Sequence, residues 1–79
     1  MKSNMGYNKI KERVSWGEEF LFYYQNEGYW ISQNGSKRYL TKIRGSETRE
    51  FQTTEELFEQ GRINGKPLLE IWNDIEQYF

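Results

Sequence analysis

Between Phe20 and Gln52 the chain is dense in aromatic and β-branched residues, and turn signals cut it at short intervals. That pattern leaves little besides an antiparallel meander, because short strands joined by tight turns have only their sequence neighbours to pair with. Asn26-Glu27-Gly28 suits a three-residue hairpin loop with Gly28 left-handed, and Asn34-Gly35 is a strong two-residue hairpin signal. Gly45-Ser46-Glu47 marks a third link without defining its turn type. Strands are expected near 19–25, 29–33, 36–43 and 48–52.

These turns imply a register in which Tyr24 faces Trp30, Trp30 faces Tyr39, Thr41 faces Phe51 and Lys42 faces Glu50. Cross-strand neighbours share a sheet face. One face therefore collects Phe20, Phe22, Tyr24, Trp30, Tyr39, Thr41, Ile43 and Phe51, and it is the expected core face. The other collects Leu21, Tyr23, Tyr29, Ile31, Arg38, Leu40, Lys42 and Glu50, a set too apolar for an ordinary solvated sheet surface.

After Phe51 the apolar period lengthens from two to about 3.6, the mark of helix. Thr53-Thr54-Glu55-Glu56 has the Thr-x-x-Glu form of a capping box, so a short helix should run to about Gln60 and stop at Gly61. Asn64-Gly65 makes a further turn, and Pro67 suits the first position of a last helix. Along that helix Leu68, Ile71, Trp72, Ile75, Tyr78 and Phe79 form one apolar stripe. The expectation is an α+β domain, a four-stranded antiparallel meander packed by two C-terminal helices. Closure of the short strands into a small barrel is the alternative. Ahead of Phe20 the signal is ambiguous. Ile10, Val14 and Trp16 fit strand alternation, while Ile10 and Val14 fit one helical turn, and Met1–Asn8 is expected to be loose. No repeat or linker divides the 79 residues, so a single domain is expected over 1–79.

The stretch Ile63-Asn64-Gly65-Lys66-Pro67-Leu68-Leu69-Glu70-Ile71-Trp72-Asn73-Asp74-Ile75-Glu76, preceded by Phe51-Gln52-Thr53-Thr54-Glu55-Glu56-Leu57, resembles small proteins of Gram-positive bacteria and their mobile elements. In those proteins an aromatic meander precedes an I-x-G-K-x-L-x-E-I-W-x-x-I helix. The resemblance covers residues 20–78 and implies a fold element without an activity.

Composition closes many functional routes. Cysteine and histidine are both absent, which removes disulfides, thiolate and imidazole metal sites, Cys nucleophiles and Ser-His-Asp triads. No apolar run resembles a signal peptide or a membrane span, so a cytoplasmic location without a membrane partner is expected. The glycines are scattered singly through turns, with no phosphate-cradling loop, and no Asp-x-Asp-x-Asp-Gly loop exists, Asp74 being the single Asp. No cofactor and no metal are implied. Paired carboxylates are the remaining acid/base kit: Glu18/Glu19, Glu55/Glu56 and Glu70/Asp74. Glu55 and Glu56 suit a helix first turn and Glu70 and Asp74 a solvated helix face, so no catalytic residue and no enzyme activity is expected.

The more informative constellation is Tyr23, Tyr29, Ile31, Arg38, Leu40 and Lys42 on the second sheet face. Three readings follow. The N-terminal Ile10, Val14 and Trp16 could cover that face as a second core layer. The face could bind a protein partner or a second copy, with Tyr23, Tyr29, Ile31 and Leu40 giving apolar contact and Arg38 and Lys42 orienting charge. Or it could bind single-stranded nucleic acid, with bases stacked on rings and cations on phosphates. The net charge of −1 disfavours the third. A further possibility is an inhibitor of a nucleic-acid enzyme, because six acidic residues, among them Glu59, Glu70 and Asp74, stand against two basic ones after residue 50. The leading expectation is a small non-enzymatic interaction protein.

Overall fold

The computed structural model describes residues 5–79. Helix α1 spans Met5–Ser15 and precedes a four-stranded antiparallel sheet of β1 Phe20–Tyr24, β2 Glu27–Asn34, β3 Lys37–Lys42 and β4 Glu47–Phe51. The strands lie in chain order, β1-β2-β3-β4, and the sheet is open rather than barrelled. Helix α2, Thr54–Gln60, leads into a small hairpin of β5 Arg62–Ile63 and β6 Lys66–Pro67, then helix α3 Trp72–Ile75 and a 3-10 turn Glu76–Tyr78.

The fold is thus α+β with the expected four-stranded meander, but its helices are arranged differently. The first is N-terminal: residues 1–4 lie outside the described residues, while Met5–Asn8, expected to be loose, begin α1. Tyr7, Ile10 and Val14 recur at three and four residues on α1 and are buried, which settles their helical reading. Trp16, beyond the end of α1, stays exposed. The long last helix is replaced by a hairpin and short turns. Asn64 and Gly65 both have positive φ, as a two-residue turn needs, and Pro67 pairs with Arg62 instead of starting a helix. Between Pro67 and Asp74 the amides bond back three residues, as Ile71 to Leu68 and Asp74 to Ile71, so the chain is wound tighter than α-helix. Four of the six stripe residues, Leu68, Ile71, Trp72 and Ile75, are buried, whereas Phe79 is partly buried and Tyr78 exposed.

Helix α2 follows its sequence signals. The Thr53 hydroxyl accepts from the Glu56 amide at 3.1 Å, and the Glu56 carboxylate accepts from the Gln52 amide at 3.0 Å, one residue earlier than a standard box. Gly61 ends the helix with φ of −63°, so no left-handed turn is involved. Glycine is required there because a Cβ would collide with the Leu57 carbonyl.

The core forms one layer between the sheet and the helical segments. Phe22, Tyr24, Tyr29, Ile31, Leu40 and Phe51 supply the sheet side, facing Val14, Leu57, Phe58, Ile63 and the residues of the C-terminal stripe. Aromatic contacts dominate. Tyr7 meets Phe58 and Trp72 edge-on at 5.6 and 5.7 Å, and Phe79 sits 5.0–5.3 Å from Phe20, Phe22 and Trp72.

Candidate functional site

The observed register decides which residues any partner can reach. β1 and β2 are joined by the two-residue loop Gln25-Asn26, both with positive φ, so Tyr24 pairs with Glu27 and Trp30 with Leu21. The expected three-residue loop is wrong by three pairing positions, an odd number, which turns β2 over relative to β1. The β2–β3 link sits at Gly35-Ser36, one position later than Asn34-Gly35, and pairs Trp30 with Thr41. That even displacement preserves faces. The β3–β4 link spans residues 43–46, pairs Arg38 with Phe51 and Lys42 with Glu47, and is again displaced by three.

The two odd displacements cancel at β4. Phe20, Phe22, Tyr24 and Phe51 therefore lie on the core face as expected, whereas the middle strands are inverted. Tyr29, Ile31, Leu40 and Arg38 are only 4, 1, 5 and 7% exposed, so four of the six proposed contact residues belong to the interior. Lys42 shares their face and is half-buried near its rim, and Tyr23 alone of the six is on the outer face. Helix α1 joins this same core through Ile10 and Val14, but Trp16 stays exposed and the second core layer of the first reading does not form.

Arg38 has a structural role. Its Nε donates to the Val14 carbonyl and Nη2 to that of Ser15, each at 3.1 Å, while Nη1 donates to Gly35 and Lys37 carbonyls at 3.0 and 2.9 Å. A guanidinium thereby adds a donor to the Val14 carbonyl, which also accepts from the Gly17 amide, and one to the Ser15 carbonyl, at the C-terminal end of α1 where positive charge complements the helix dipole. No sequence signal marks this, since the acceptors are backbone atoms brought in from 23 and 24 residues away.

The outer face joins Trp30, Thr41 and Ile43, which the sequence assigned to the core, to Leu21 and Tyr23, which it assigned to the second face. Leu21, Trp30, Thr41 and Thr48 form one row across all four strands, ending in a 2.9 Å contact between the Thr41 and Thr48 hydroxyls. Tyr23, Gly28 and Ile43 form the next row: a Cβ on Gly28 would stand 3.3 Å from the Tyr23 ring and 3.2 Å from Ile43 Cδ1, so both side chains close over the glycine. Tyr78 from the 3-10 turn reaches the β1 edge and meets Tyr23 edge-on at 5.5 Å. Leu21, Tyr23, Trp30 and Ile43 remain 49, 46, 42 and 47% exposed. Lys37 and Glu50 are the charged residues that these strands point outward, and they pair with each other at 3.2 Å.

Of the candidate acid/base carboxylates, Glu18, Glu55 and Glu56 serve local structure, and Glu19 is exposed. Glu18 accepts from Arg13 Nε and Nη2 at 3.1 and 2.8 Å, and these hydrogen bonds hold its carboxyl below the usual range, opposite to the shift a general acid needs. Glu55 pairs with Lys11 at 3.6 Å, and Glu56 caps α2. Glu59, Glu70 and Asp74 are exposed on α2, the turn after β6 and α3. Among the described residues no group of three acidic side chains is placed to hold a metal ion, and no helix is long and apolar enough to cross a membrane. Comparison with protein-family models, curated proteins and solved structures finds no match.

Proposed function

We propose that this chain is a small non-enzymatic interaction domain that docks an uncharged apolar strip of a protein partner on its outer sheet face. The observation that carries the reading is the combination of four large exposed apolar side chains with a face whose one outward cation, Lys37, is already paired with Glu50. Contiguous apolar surface of this kind is the mark of a docking site. Rings set in a pleated sheet bring contact area at small entropic cost, so Trp30 and Tyr23 are the natural anchors. Single-stranded nucleic acid needs cations beside its stacking rings. Here the unpaired Lys42 and Arg49 lie on the inner face, so rings and cations stand on opposite sides of the sheet. The resemblance of residues 20–78 to Gram-positive and mobile-element proteins carries no activity, and the proposal stands on the surface alone.

The test compares tagged full-length protein with a Leu21→Ser/Trp30→Ser variant and a Lys42→Gln control, after their melting curves are shown to agree. Nuclease-treated lysate is passed over each, and bound proteins are quantified. A protein held by the first and third but lost from the double variant supports the reading. Identical captured sets overturn it. Sedimentation of the purified protein forms the second arm: dimerisation abolished by Trp30→Ser would give this face to a second copy instead of a different protein.

A further inference from the structure

On the inner side of the sheet, the covering layer ends before the strands do. β3 and β4 carry Lys42, Glu47 and Arg49 past the reach of α2, and the β5–β6 hairpin forms the opposite wall through Arg62. The result is a cleft of about 190 Å³ floored by Tyr29, Leu40 and Ile63. Its charge is unusual for this molecule. Lys9, Lys11, Arg13, Lys37 and Arg44 each hold a carboxylate within 4.0 Å, and Arg38 is spent on backbone carbonyls. Of the four remaining described cations, three line this cleft, and none of them has a carboxylate at ion-pair distance.

Two of the three, Arg62 and Arg49, are held in place by the fold. Arg62 Nη1 donates to the Glu59 and Gly61 carbonyls at 2.9 Å each, which fixes the guanidinium and leaves its other donors free. The Arg49 guanidinium lies 5.2 Å from the Phe51 ring centroid. From the floor comes Tyr29, 4% exposed, whose hydroxyl makes no hydrogen bond among the described residues. Burial first, then Glu27, Tyr24 and Glu47, push its phenol above the ordinary range, so it is a neutral donor at physiological pH.

We propose that this cleft binds a phosphate monoester dianion, with Lys42, Arg49 and Arg62 as counter-charges and the Tyr29 hydroxyl as a donor from the floor. Three cations against Glu47 leave two positive charges on the rim, the complement of a dianion. Lys42 and Arg49 on the sheet wall face Arg62 on the hairpin wall, which suits a tetrahedral group accepting from several directions better than a planar carboxylate. This site lies on the opposite side of the sheet from the protein-docking face and is independent of it.

The test is a titration of the isotope-labelled full chain with inorganic phosphate and phosphoserine, followed by amide NMR at constant ionic strength, with acetate as the carboxylate arm. Saturable shifts are expected at Tyr29, Lys42, Arg49 and Arg62, tighter for the ester than for free phosphate. Binding should weaken below about pH 6, where the phosphate becomes a monoanion. Lys42→Gln/Arg49→Gln should weaken affinity at least about tenfold, since charge-assisted contacts are lost. Tyr29→Phe should weaken it less, and Trp30→Ser should leave it unchanged. Shifts that fail to saturate, that spread equally to Lys9 and Lys37, that survive the double variant or that acetate reproduces would each overturn the proposal.

Discussion

The burial of Arg38 shows how a single side chain can mislead a reading by type. A charged residue in a strand suggests solvent, yet this one lies in the core layer because four carbonyls replace its water. Arg38→Met should therefore lower the unfolding free energy by about 2–3 kcal/mol in urea titration, because four charge-assisted hydrogen bonds to carbonyls are lost. Arg38→Lys should recover part of this, lacking the planar fork. Two tyrosines set the alkaline limit. Tyr7, shifted up first by burial and then by Glu55 and Glu59, and Tyr29, shifted up by burial, titrate higher folded than unfolded. Their contribution is intact below about pH 10, the unfolded value, and is lost as pH rises through the folded ones. Melting temperature should fall across that alkaline window, and Tyr7→Phe should flatten the fall. Neither the carbonyl cage around Arg38 nor the depth of Tyr29 is written in residue type.

At the scale of elements, the sequence discloses periods and caps well and loop lengths poorly. The meander, the Thr53 cap, the Asn64-Gly65 turn and the burial of Leu68, Ile71, Trp72 and Ile75 all follow from local chemistry. The β1–β2 loop does not, because Gln25 at φ of 51° is a conformation that the residue type disfavours, and Gly28 offered a more usual turn. One long-range contact anchors the loop: Gln25 Oε1 accepts from Asn64 Nδ2 at 3.1 Å across 39 residues. The C-terminal stripe was legible for the same reason that its helix was not, since hydrophobic spacing of three to four suits both α-helix and successive tight turns. Trp72→Ala should cost about 3–5 kcal/mol, because its ring joins Tyr7 to Phe79. The exposed Trp16→Ala should shift stability by no more than about 0.5 kcal/mol in the same urea series.

For the whole molecule, register determines the division of chemistry: apolar surface outside, unpaired charge at the inner rim. Two odd displacements that cancel at the fourth strand place Trp30 in solvent and Tyr29 beneath it, so the candidate surface joins Trp30 and Ile43, assigned to the core by sequence, to Leu21 and Tyr23, assigned to the second face. The order of the strands has another consequence, for how the chain reaches this state. Each strand pairs with the next in sequence through a loop of two or four residues, so zipping the sheet costs little loop entropy and can proceed locally. Helix α1 is different, because its carbonyls meet Arg38 across 24 residues and its side chains wait for α2. A sheet formed before α1 docks would be apolar on both faces, making the rate of that docking, more than final stability, the barrier against aggregation during folding.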